Sequence, residues 1–200
     1  HTPHREALLA AIAQRQLGAA TATATTSSSE SATASAETPS IDALMQDLDR
    51  VWSAWEATEL TQRCTTILRA ADEMEADLDS WAADLVVEAR MTLPDAVSEV
   101  REAIDYARYY AAQARDTLAT RILPGPTGEH NEWRARGRGV FVCIAPWNFP
   151  LAIFAGQVIA ALLAGNVVAA KPAEQTPQVA RRLVALLHRH GIPVNALCCV

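Results

Sequence analysis

No apolar run in this chain approaches the roughly eighteen residues that a membrane-spanning helix needs. The most apolar stretch, Leu151 to Leu163, is shorter and contains Gln157. Basic residues are thinly spread: 17 Lys+Arg along 200 residues, with a net charge of −6. That argues against nucleic acid as a partner, because phosphate binding needs a concentrated cationic face. The four cysteines, Cys64, Cys143, Cys198 and Cys199, show no metal-ligand spacing. An adjacent pair suits neither a zinc knuckle nor a redox couple, so all four read as buried, reduced thiols of a cytoplasmic protein. No secretory leader opens the chain. No G-x-G-x-x-G follows an apolar run either, and Arg136-Gly-Arg-Gly139 precedes such a run instead of following it. Any dinucleotide must therefore be held by another geometry.

What is present is enough for a sizeable core, since half the residues are hydrophobic. Residues 5–17 predict a short amphipathic helix through Leu8, Leu9, Ile12 and Leu17. Residues 19–40 are low-complexity Ala, Thr, Ser and Glu, which bury too little to offset ordering entropy. We divide the chain into a helix at 1–18, a linker at 19–40, a helical part at 41–135 and a strand-rich part at 136–200. Ile41, Leu44, Met45, Leu48, Trp52 and Trp55 recur at helical spacing. A second long helix is expected after a Thr58 cap, with Cys64, Ile67, Leu68, Met74, Leu78, Trp81 and Leu85 inward. Thr92-Leu-Pro94-Asp95 supplies a cap, an early proline and a first-turn carboxylate for a third, running to about Leu118. Leu123-Pro-Gly-Pro-Thr-Gly128 is a loop, and residues 129–138 suit an edge strand. Strands are expected at 139–145, 167–170 and 196–200, with helices at about 151–163 and 176–190 between them. Gly191 and Pro193 mark the second helix's stop. The fold class is α/β: a parallel βαβαβ sheet covered on both faces, preceded by a three-helix segment that packs on it.

Two turns carry chemistry. Gly139-Val-Phe-Val-Cys-Ile-Ala-Pro-Trp-Asn-Phe-Pro150 is an apolar strand that stops at Pro146 and presents Asn148 between two aromatics. A rigid side-chain amide at a strand's carboxyl end can donate to an oxyanion; Asn is also a favoured helix cap. Val167-Val-Ala-Ala-Lys171-Pro-Ala-Glu174-Gln-Thr-Pro177 ends the next strand with a lysine and a carboxylate. Such a pair recognises a ribose diol, and the carboxylate repels a 2′-phosphate. The same residues also suit a solvated lysine and a glutamate near a positive helix end. Thr176 and Pro177 read as the N-cap and first residue of the following helix. Both turns should lie at one edge of one sheet.

Pro146-Trp-Asn-Phe-Pro150, Gly165-Asn-Val-Val and Lys171-Pro-Ala-Glu174-Gln-Thr-Pro177, in this order and spacing, resemble the NAD-binding domain of the aldehyde dehydrogenase superfamily. The resemblance runs from about Ile41 to Val200. Leu93-Pro-Asp-Ala-Val-Ser-Glu-Val-Arg-Glu-Ala-Ile-Asp-Tyr106, Arg108-Tyr-Tyr-Ala-Ala-Gln-Ala-Arg115 and Leu123-Pro-Gly-Pro-Thr-Gly-Glu129 are most similar to one branch. That branch is the L-glutamate γ-semialdehyde dehydrogenase modules of bifunctional proline utilization flavoproteins. The resemblance implies NAD as cofactor and Asn148 in the oxyanion hole. Ile144, Ala145, Pro146, Trp147 and Ala173 would line the cofactor cleft. Lys171 and Glu174 would hold the adenosine ribose, and Glu102 would border the substrate entrance. An upstream FAD-bearing proline dehydrogenase domain, a homo-oligomer and no metal are implied as well.

The chain opens on His1 and ends in the strand-like Cys198-Cys199-Val200, so it is expected to be part of a longer polypeptide. In the family the nucleophilic cysteine and the base glutamate lie downstream of the lysine–glutamate motif. Residues 1–200 alone are therefore expected to be inactive. A dehydrogenase for another aldehyde, or an inactive dehydrogenase-like assembly domain, is the alternative. Arg90-Met91-Thr92 departs from the Gly-Lys-Thr often found there.

Overall fold

The computed structural model describes residues 2–26 and 40–200, with side chains from residues 6–18 and 40–200. Among the described residues five helices come first: α1 (Thr2–Thr26), α2 (Ile41–Glu56), α3 (Leu60–Ala76), α4 (Leu78–Glu88) and α5 (Leu93–Thr117). The helix expected at 5–17 thus runs on into the segment expected as linker; residues 27–39 of that segment lie outside the described residues. A short hairpin follows, β1 (Arg121–Leu123) with β2 (Asn131–Trp133). Then come β3 (Val140–Ile144), α6 (Ala152–Leu163), β4 (Val167–Lys171), α7 (Pro177–Arg189) and β5 (Leu197–Cys199).

The three-helix expectation is corrected to four, because the second predicted helix breaks at Asp77. Asp77 leaves helical geometry (φ −115, ψ 29), ending α3 and starting α4. The apolar stripe continues across the break through Met74, Trp81 and Leu85, all buried, so periodicity does not show it. The α3 cap falls on Glu59, one residue after the expected Thr58. Ser40 caps α2 by accepting from the Ala43 amide at 3.2 Å, while Ile41, the first apolar residue of the stripe, is 79% exposed. The α5 start is as expected: Thr92 Oγ1 accepts from the Asp95 amide and Pro94 sits in the first turn.

The buried face of α5 is built of small residues, Ala96, Ala103, Ala107, Ala111 and Ala114, with Val100 and Ile104. Small side chains let helix axes approach closely, and α5 packs against both α3 and α6. The sheet is parallel with order β3-β4-β5, and Val140 pairs with Val167, Ile144 with Lys171 and Val168 with Leu197. Central β4 is buried up to Lys171. Outer β3 is not covered on both faces as expected: Phe141, Val142 and Ile144 are exposed, while Cys143 is buried. Edge position alone does not explain this, since β5 also has one strand neighbour among the described residues and none of its residues is exposed; Val142 and Ile144 alternate on one face of β3, and no described residue buries them. Residues 129–138 contribute only Asn131–Trp133, paired antiparallel with Arg121–Leu123.

The connection into β4 is tight. Gly165 has φ +81, the left-handed region glycine tolerates. Its carbonyl accepts from Trp52 Nε1 at 3.1 Å, and Trp55 Nε1 donates to the Leu162 carbonyl, so α2 is tied to the end of α6. Gly137 passes so close that a Cβ there would lie 2.3 Å from the Gly165 oxygen. Buried Asn166 bridges this connection to β3: Oδ1 accepts from the amides of Arg138 (2.6 Å) and Gly139 (3.2 Å), and Nδ2 donates to the Ala161 carbonyl. Asn166→Ala should leave the Arg138 and Gly139 amides without an acceptor, while the Ala161 carbonyl keeps the Asn166 backbone amide, costing on the order of 3 kcal/mol of unfolding free energy. Urea denaturation measures this, and a loss below about 1 kcal/mol would contradict the bridge.

Candidate functional site

Leaving β3, the chain is held by two bonds. The Ala145 amide donates to the Lys171 carbonyl at 3.2 Å, and Gln157 Nε2 donates to the Ile144 carbonyl at 3.1 Å. The bend from Pro146 to Pro150 follows, and α6 starts at Ala152. Its first amides are orphans that some oxygen must satisfy. Asn148, weighed above as their cap, does not do this. The cap position is Leu151, whose side chain has no oxygen. The acceptor comes from another element: Glu99 of α5, whose Oε1 takes the amides of Leu151 (2.8 Å) and Ala152 (3.2 Å).

Glu99 is 2% exposed, and its Oε2 has no hydrogen-bond partner among the described residues. Burial pushes its carboxyl above the usual carboxylate range; the two amide bonds oppose that, and the charge of Glu102 adds to it. A neutral carboxyl in this position still accepts both amides through its carbonyl oxygen.

Relieved of capping, Asn148 is exposed. With Trp147 and Phe149 it lines a cleft of about 510 Å³, whose other walls are Ala89–Thr92 and one face of α5, including Asp95, Glu99 and Glu102. The structure therefore brings together Asn148, Trp147 and Glu102. Trp147 and Phe149, 58% and 45% exposed, are apolar walls without a packing partner sufficient to bury them. Arg90, also in this wall, has φ +55, a left-handed conformation uncommon for a side chain with a Cβ. That is where the sequence departs from the usual glycine.

The second turn is built the same way. Ile144 and Lys171 are register partners, so the β3 and β4 ends lie at one sheet edge. Lys171 and Glu174 are exposed and Pro172 is buried between them. Thr176 occupies the cap position before Pro177, but its buried Oγ1 makes no cap bond. Glu88, at the end of α4, supplies both acceptors: Oε1 to the Gln178 amide (2.6 Å) and Oε2 to the Val179 amide (2.8 Å). Glu174 is thus left outside the helix and uncommitted to its cap. Ala173, also named from the sequence, accepts the Thr176 amide within this turn. Lys171, Ala173 and Glu174 are not among the residues lining the Asn148 cleft, nor are Ile144, Ala145 and Pro146.

Both helix N-termini at this edge carry a glutamate, so neither is open to a phosphate, the use such ends find in phosphate-loop folds. The chemistry left exposed suits a diol at Lys171 and Glu174 and a carbonyl at Asn148. Sequence reasoning missed both capping glutamates. Glu99 had a signal: it falls between Ala96, Val100 and Ala103 on the buried face of α5, where a carboxylate needs a partner. Glu88 had none, because a last-turn glutamate reads as solvated surface.

No cysteine here is prepared to act as a nucleophile. Cys143 is buried in β3 and burial pushes its thiol up to about 11; burial also raises Cys64, Cys198 and Cys199.

The Aldehyde dehydrogenase family model matches residues 13–200. Bifunctional protein PutA of Escherichia coli (strain K12) is 48% identical over 139 residues, covering 70% of this chain and 10% of that protein. A 1-pyrroline-5-carboxylate dehydrogenase of Staphylococcus aureus (strain MSSA476) is 39% identical over 142 residues, 71% of this chain and 26% of that protein. A crystal structure of a Bradyrhizobium japonicum proline utilization A (PutA) mutant superposes with a TM-score of 0.77 at 51% identity, covering 80% of this chain and 16% of that one. A Thermus 1-pyrroline-5-carboxylate dehydrogenase with bound NAD gives 0.72 at 34% identity, over 78% and 30%. The chain thus spans about a tenth of the PutA relative's length and about a quarter of the dehydrogenase's.

With a thiol near 11, only on the order of one Cys143 in 10⁴ is thiolate at neutral pH. Cys143 should resist iodoacetamide at pH 7 in the folded protein and react once urea unfolds it. Mass spectrometry of the peptides reads this out; labelling of native Cys143 at a free-thiol rate would contradict it.

Proposed function

The chain belongs to the aldehyde dehydrogenase family, and from that premise we propose that it carries the NAD-binding start of a dehydrogenase oxidising L-glutamate γ-semialdehyde to glutamate. The observation that carries this reading is the exposed Asn148 amide, free of helix capping, in a cleft it shares with Glu102 at the carboxyl end of β3. Similarity to 1-pyrroline-5-carboxylate dehydrogenases, one of them solved with bound NAD, supports the substrate and the cofactor.

A neutral aldehyde oxygen gains little from the Asn148 N–H. Once a thiolate adds to the carbonyl carbon, that oxygen is anionic and the same N–H holds it much more strongly. The gain therefore falls in the transition state and raises the rate. The thiolate and the base that activates water for hydrolysis belong to family positions beyond the lysine–glutamate motif. None of the thiols of residues 1–200 fits, because all four are pushed up by burial. Residues 1–200 alone are accordingly inactive in this reading.

When bound, NAD accepts the hydride that leaves the aldehyde carbon. The chain's part is to hold it. Glu174 accepts from the adenosine ribose hydroxyls, Lys171 donates to them, and the Glu174 charge disfavours a 2′-phosphate. Ile144, Ala145, Pro146 and Ala173 line the cofactor crevice largely through backbone, Trp147 walls it, and Glu102 borders the substrate side. The same reading carries a cytoplasmic, homo-oligomeric enzyme with an upstream FAD-bearing proline dehydrogenase region.

Two variants of the enzyme carrying this segment test the proposal. Asn148→Ala should lower kcat by roughly 2.7–4 kcal/mol, or 10²–10³-fold, with NAD affinity unchanged. Steady-state kinetics at saturating NAD measures this; an unchanged kcat would remove Asn148 from the oxyanion site. Glu174→Gln should weaken NAD binding by about 1.5–3 kcal/mol and narrow the preference over NADP. Unchanged affinity in calorimetry for both nucleotides would remove the ribose role.

A further inference from the structure

The start of α6 needs oxygen acceptors, and Asn148 sits three residues before its cap position. Asparagine is among the strongest capping residues, so an uncapped α6 would compete with any other use of that amide. No hydrogen bond to a described residue anchors Trp147, Asn148 or Phe149 directly. The bend is defined by its flanks instead: the Ala145 amide on the Lys171 carbonyl before it, and Glu99 on the amides of Leu151 and Ala152 after it. Glu99 reaches in from a different layer, is buried, and spends one oxygen on both amides.

We propose that Glu99 is a positioning residue for Asn148: by capping α6 from the neighbouring helix, it leaves the amide free and fixes its aim. The proposal rests on the oxyanion reading of Asn148. Glu99 itself touches neither substrate nor cofactor, because its unpartnered Oε2 is closed off from solvent. Its presence in the cleft wall is that of a strut behind the bend. Without it, the Leu151 amide stands three residues after Asn148, the spacing at which an N-cap side chain accepts, so the Asn148 side chain can fold back onto the helix start. The amide would then be spent on the helix and lost to the reacting carbonyl.

This account separates acceptor function from charge. Gln at position 99 keeps an oxygen for both amides and has the same shape; alanine keeps neither. A double-mutant cycle in the enzyme carrying this segment tests the account. Glu99→Ala should lower kcat about 10²-fold, as misplacement of a catalytic group does, with the Kd for NAD unchanged. Glu99→Gln should restore kcat to within about twofold of the parent. In an Asn148→Ala background, Glu99→Ala should change kcat by no more than about twofold, because there is no amide left to misdirect.

Should the alanine protein fail to fold, Glu99→Asp, whose shorter side chain cannot reach both amides, takes its place in the cycle. A parental kcat for Glu99→Ala, or for Glu99→Asp where it stands in, overturns the proposal. So does an equal loss in both backgrounds, which marks general damage to the fold, or a glutamine variant as impaired as alanine. If Asn148→Ala alone leaves kcat intact, the oxyanion reading fails and this one falls with it. If Asn148→Ala is impaired but Glu99→Ala is not, only the positioning role is lost.

Discussion

A carboxyl group from one layer of this protein satisfies the first amides of a helix in the next, and the site depends on that arrangement. Helix ends normally recruit their own N-terminal residues as caps. Here the bend before α6 contributes none, because Leu151 stands at the cap and Glu99 of α5 does the accepting. The alanine-rich face of α5 makes this possible by bringing the helix close enough for a glutamate to reach. Packing in the helical layer and chemistry at the sheet edge are thus one problem.

The device is used twice. Glu88 closes α4 and caps α7 as Glu99 caps α6, and each frees the turn ahead of its helix. Both helix N-termini are thereby occupied by carboxyls, so their first amides are not available to the phosphates that such ends attract in phosphate-loop folds. The absence of a glycine-rich phosphate motif in the sequence and the filled helix ends in the structure describe the same restriction from two sides. What remains exposed is a lysine, a glutamate and an amide, groups that recognise hydroxyls and carbonyl oxygens.

Much of this was legible in the sequence. Apolar runs broken by Pro146 and Pro172 gave the strands and their common edge, and the Thr92–Asp95 pattern gave the start of α5. The match of three ordered motifs gave the family; the roles proposed for Asn148, Lys171 and Glu174 come from those motifs, and that of Glu102 from the resemblance of its helix. The break at Asp77 was not legible, because Met74, Leu78 and Trp81 keep the inward stripe in phase across it. The exposure of Phe141, Val142 and Ile144 was not legible either: an apolar run is read as buried on both faces, and nothing in its own residues says which faces other elements cover. The capping glutamates escaped because their partners lie 52 and 90 residues away in sequence, beyond the reach of any local cap pattern.

The most direct test of the central claim is a crystal structure of the enzyme carrying this segment, with an aldehyde-derived inhibitor trapped on its nucleophile. The account predicts Asn148 Nδ2 about 2.7–3.1 Å from the former aldehyde oxygen, with Glu99 still on the amides of Leu151 and Ala152. An Asn148 side chain folded onto the start of α6, with the oxygen held by other groups, would contradict it.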